Sequence, residues 1–89
     1  MIDRKKEPVS DELLLEAFEN SYQGFSDIEK IGELRLALVN CMCGYYVGHT
    51  IAMILFDLGF ITYANRNATK RGKEYCREFI AEYILNKRE

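Results

Sequence analysis

The run from Val47 to Tyr63, V-G-H-T-I-A-M-I-L-F-D-L-G-F-I-T-Y, constrains the fold more than any other part of the chain, because a helical pattern gives way to an extended one within a few residues. Thr50 carries a hydroxyl that can accept from a backbone donor left free at a helix start. Ile51, Ile54, Leu55 and Leu58 then recur at the spacing that turns one helical stripe to a core. Gly59 follows, where a left-handed residue ends a helix at least cost. The spacing therefore predicts a helix over Thr50–Leu58. Phe60, Ile61, Thr62 and Tyr63 are all β-branched or aromatic, which suits a half-buried strand.

Only one such core fits in 89 residues, of which 48% are hydrophobic. Residues 1–9 read as a mobile, charged lead-in holding the only proline, Pro8, and residues 10–88 as one domain. Arg4, Lys5 and Lys6 beside Asp3 and Glu7 read as a solvated cluster. The longest apolar run, Ile51 to Phe56, falls far short of the roughly 20 residues that span a bilayer. With a polar start, M-I-D-R-K-K-E-P, the expected location is the cytoplasm, with no membrane partner.

The other helices announce themselves by their caps. Ser10, with Asp11 and Glu12 after it, is expected to start a first helix whose inner stripe is Leu14, Ala17, Phe18 and Ser21 or Tyr22. Gly24 is its expected left-handed stop. Ser26-Asp27-Ile28-Glu29 is a capping box, the firmest start signal in the chain. The helix it opens carries Ile31, Leu34, Leu38 and Cys41 or Met42 on one stripe and Leu36, Val39 and Cys43 on another, so it is expected to be central. Asn65 and Asn67 tolerate left-handed backbone and favour a short hairpin with a return strand at Asn67 to Thr69. Thr69 caps the last helix, whose inner stripe is Gly72, Cys76, Phe79, Ile80, Tyr83 and Ile84 or Lys87.

This order of elements resembles the winged helix-turn-helix domains of bacterial and phage regulators. The residues that carry the likeness are T-I-A-M-I-L-F-D-L-G-F-I and A-T-K-R-G-K-E-Y, between Thr50 and Tyr75. They are similar to a recognition helix ending in a glycine-hydrophobic step, followed by a wing and the start of another helix. The expected fold class is mainly α, an α+β winged-helix-like domain of three helices, a short β-hairpin and a C-terminal helix. The resemblance implies that the Thr50–Leu58 helix enters a DNA groove and that Ala64 to Asn67 forms the wing.

The outer face of that helix argues for another use. Outside the core stripe it offers His49, Thr50, Met53, Phe56 and Asp57, with no arginine, lysine, asparagine or glutamine to read base edges. Asp57 would repel phosphates. Tyr45, Tyr46, His49, Met53 and Phe56 are therefore the expected contacts for a protein partner or for a second copy of the chain in a dimer. The alternative is a DNA-binding regulator gripping through Arg66, Lys70, Arg71, Lys73 and Arg77, although the net charge of -2 gives no general attraction to nucleic acid.

Catalysis and metal binding find little in the sequence. His49 is the only histidine, and no orienting carboxylate sits beside it or beside the cysteines. Cys41, Cys43 and Cys76 with His49 lack the tight pairs of ligands that structural zinc sites use, so the thiols read as reduced and apolar. The chain is expected to be a non-enzymatic regulatory or inhibitory protein with no metal, cofactor or small-molecule substrate.

Overall fold

The computed structural model describes residues 3–87. Four helices form: α1 (Asp11–Phe18), α2 (Asp27–Met42), α3 (His49–Asp57) and α4 (Lys70–Lys87). α2 touches all three of the others, so the central place expected of it is the one it occupies. Its capping box is complete, with Ser26 Oγ accepting from Glu29 N–H at 3.2 Å and Glu29 Oε1 accepting from Ser26 N–H at 2.9 Å. The hydrogen bond from the Ser26 backbone, reinforced by the Ser26 hydroxyl, holds the Glu29 carboxyl below the usual glutamate value. Ser10 caps α1 through Leu13 N–H at 3.2 Å. Thr69 caps α4, its Oγ1 accepting from Gly72 N–H at 3.1 Å.

The core gathers Leu14 and Phe18 from α1, Leu34 and Leu38 from α2, Leu55 from α3, and Leu58 and Phe60 just beyond α3, each fully buried. No polar or charged side chain is buried among the described residues. Of the second apolar stripe expected on α2, only Val39 packs against the core, half-buried. Leu36, assigned to a second apolar stripe, stands 56% exposed, and Cys43 is exposed as well.

The winged-helix-like α+β expectation is corrected here, because no strand forms among the described residues and the fold is all-helical. Where the hairpin was expected, there is one isolated bridge, Ile61 with Ala68. Thr62 N–H donates to Asn67 O and Thr69 N–H to Phe60 O, both at 2.9 Å, and the pairing goes no further. The physical reason lies in burial. A strand sends successive side chains to opposite faces, yet Phe60 and Ile61 are both buried while Thr62 to Asn65 are all exposed. β-Favouring residue types here fill the core from a turn. The left-handed position in that turn is Arg66, at φ 53°, rather than either asparagine.

Three smaller boundaries also move. α3 starts at His49 with Gly48 as its N-cap, and Thr50 lies inside the helix. α1 ends at Phe18, because Glu19 and Tyr22 take the left-handed backbone expected of Gly24. In α4 the buried stripe is Gly72, Tyr75 and Cys76, with Phe79 half-buried; Ile80, Tyr83 and Ile84 are exposed. Gly59 does adopt the left-handed conformation, at φ 78°.

Gly32 offers a clean test of local helix energetics. It sits exposed inside α2, and an added Cβ would meet nothing within 4 Å. Gly32→Ala is expected to raise stability by about 0.8 kcal/mol, the difference in helix propensity, as read by urea unfolding.

Candidate functional site

α3 carries His49, Ala52, Met53 and Phe56 on the side turned away from α2, and the turn after it brings Ile61, Thr62, Tyr63, Ala64 and Arg66 opposite. Together they line an open cleft of about 200 Å³. Its floor is apolar, with Ala52 and Ile61 buried. Phe56 and Tyr63 meet edge to face, with centroids 5.2 Å apart. Met53 is 37% exposed and Phe56 is half-buried.

The structure thus brings together three of the five residues assigned to partner binding, His49, Met53 and Phe56. Tyr45 and Tyr46 stand apart, in the segment between α2 and α3, and are 70% and 83% exposed. They line a neighbouring depression with Asn65, Arg66 and Asn67. Arg66 belongs to both hollows, its guanidinium 5.9 Å over the Tyr46 ring and its Nη1 donating to Val47 O at 3.0 Å.

Of the five cations assigned to DNA, two are engaged within the fold. Arg66 holds the Val47 carbonyl. Arg71 donates from Nε to Leu58 O at 2.9 Å and from Nη2 to Arg4 O at 2.7 Å. Lys70, Lys73 and Arg77 remain exposed on α4. The short sequence spacing made one patch of these five; the folded chain divides them between carbonyl staples and solvent.

The charged lead-in supplies contacts that the sequence reading did not foresee. Arg4 Nη1 meets Asp57 Oδ2 at 2.6 Å, and Nη2 lies 3.7 Å from Glu19 and 4.0 Å from Glu16. Lys5 Nζ stands 4.1 Å over the ring of Phe56, one of the lining residues. Glu19 is largely exposed, Asp57 is half-exposed and Arg4 Nε is buried without a partner, so these gains are partly offset. Arg4→Ala is expected to cost about 1 kcal/mol in low salt and less in 0.5 M salt, measured by thermal unfolding.

The thiols are poorly set for nucleophilic chemistry. Burial pushes Cys41 up, with Arg66 opposing, and burial also pushes Cys76 up, with Cys43 adding to the shift. Both are protonated at neutral pH. Among the described residues no group of three or more His, Cys, Asp and Glu side chains is placed to hold a metal ion, and no helix is long and apolar enough to cross a membrane. No protein-family model matches the chain, and neither does a curated protein or a solved structure.

Proposed function

We propose that this protein is a small non-enzymatic regulatory or inhibitory protein of the cytoplasm that works by docking another protein on the outer face of α3. The observation that carries this reading is the cleft itself, which leaves Met53, Tyr63 and part of the Phe56 ring reachable from solvent on a rigid helix and an adjoining turn. Exposed aromatic and methionine side chains gathered around a concave site are what protein interfaces use as anchors. The floor is supplied by core residues, so the shape is set before a partner arrives.

DNA binding through Lys70, Lys73 and Arg77 is the second reading. It has less support, because Arg71 is already committed to two backbone carbonyls, Arg66 lies by the cleft while Lys70, Lys73 and Arg77 lie on α4, and the outer face of α3 has no base-reading side chain. The two readings separate by mutation. Met53→Glu, at an exposed position, should change stability by less than about 1 kcal/mol and abolish capture of the partner by tagged protein from nuclease-treated host extract. Lys70→Glu with Lys73→Glu should leave that capture intact. Capture that survives Met53→Glu and disappears with nuclease would transfer the function to α4 and nucleic acid.

A further inference from the structure

Charge is distributed unevenly around the cleft. The chain has 14 acidic and 12 basic residues, yet none of the acidic ones lines this hollow, whereas His49 and Arg66 do. Lys5 holds its ammonium over the ring of Phe56, one of the lining residues. The carboxylate nearest along α3, Asp57, is bound by Arg4. Among the described residues every salt bridge is made by Arg4, so His49, Arg66 and Lys5 have no acidic partner. Two cations, Arg66 and Lys5, and the His49 imidazole thus stand by a hollow with an apolar floor and no carboxylate among its lining residues.

Size narrows the occupant. At about 200 Å³ the cleft is smaller than the roughly 300–1,000 Å³ typical of drug-sized ligand and cofactor sites, and is on the scale of one large side chain. Arg66 lines both hollows, with its backbone left-handed at φ 53° and Nη1 on the Val47 carbonyl, which leaves Nε and Nη2 for a carboxylate.

We infer that the partner docks through an acidic peptide segment in which one leucine or aromatic side chain enters the cleft between α3 and residues 61–66, while flanking carboxylates meet His49, Arg66 and Lys5. This rests on the reading of that face as a protein-docking surface and adds the chemistry of what docks. The apolar anchor supplies affinity by leaving water, and the carboxylates supply steering and register.

The test uses the isotopically labelled full chain and three pools of blocked hexapeptides, followed by amide NMR. The first pool places one Leu, Phe or Trp among Asp and Glu; the second replaces the acids by Asn and Gln; the third replaces the apolar residue by Ala. The first pool should shift Ala52, Met53, Phe56, Tyr63 and Arg66, bind at least tenfold more tightly than either other pool, and weaken at least fivefold in 0.5 M salt. Lys5→Glu with His49→Glu, both at exposed positions, should remove the preference for acids while leaving the spectrum of the free protein otherwise folded.

Equal binding of the acidic and amide pools would overturn the charge assignment and leave the docking surface standing. Shifts that map elsewhere, or no saturable binding by any pool, would overturn the peptide assignment. In that case a cross-link to a partner formed at Tyr63 shows the docking reading surviving without it, and its absence shows both failing.

Discussion

Gly72→Ala is expected to lower stability by about 3 kcal/mol, on the order of 15 °C in melting temperature for a domain of this size. A Cβ built on Gly72 falls onto the Phe60 carbonyl oxygen and lies 3.0 Å from its carbon and 3.1 Å from its Cα. All three are backbone atoms, so no side chain can swing aside. The same carbonyl accepts Thr69 N–H at 2.9 Å, and Thr69 Oγ1 donates to Gly59 O while capping α4. Relief requires moving the first turn of α4 away from residues 59–61, which breaks those bonds together. Alanine gains about 1 kcal/mol in helix propensity over glycine, and the clash is expected to exceed that gain. Urea unfolding of this variant beside Gly32→Ala gives opposite signs for the same substitution. Equal signs would mean that the close approach of α4 to Phe60 is wrong.

Phe60→Ala should cost about 4 kcal/mol, the second large effect. The ring is fully buried and lies nearly parallel to Tyr75, with centroids 5.0 Å apart and planes at 12°. Arg71 stands 5.8 Å over it. Deleting the ring opens a void between the α3–α4 turn and α4, and it removes the surface against which Arg71 is held on its way to the Leu58 and Arg4 carbonyls. The loss should therefore be accompanied by faster hydrogen exchange across residues 61–66, which form one side of the cleft. A loss below 1.5 kcal/mol, by calorimetry, would mean that Phe60 is not a central packing residue.

These two positions also show why part of the fold could be read from sequence and part could not. The starts of α1, α2 and α4 were legible because each cap is a local arrangement within four residues: Ser10, Ser26 with Glu29, and Thr69. The hairpin was not. Phe-Ile-Thr-Tyr has the composition of a strand, and only the packing of Gly72 against Phe60 reveals that two consecutive side chains turn inward. Propensity yielded to tertiary contact. The same holds for α1, where Tyr22 takes a left-handed backbone and packs its ring between Phe18 and Phe25, at 5.4 and 5.1 Å.

The candidate site divides in the same way. His49, Met53 and Phe56 share a face because helical spacing places them there, so the sequence sufficed to group them. Tyr63 is brought back onto Phe56 by the turn after α3, and Lys5 over Phe56 and Arg4 on Asp57 come from a segment distant in the chain. No periodicity encodes those meetings. Arg66 and Arg71 were grouped with Lys70, Lys73 and Arg77 because one-dimensional spacing records charge and not the carbonyl each guanidinium reaches.

The central claim is that the outer face of α3, with the turn at 61–66, is where a partner protein binds. A photo-cross-linking amino acid placed at Tyr63 in cells tests it most directly, with the same group at Leu36 on the exposed side of α2 as comparison. The account expects a discrete protein adduct from position 63 that is lost when Met53→Glu is added, and no such adduct from position 36. An adduct from position 36 alone, or one from position 63 that Met53→Glu leaves unchanged, would contradict it.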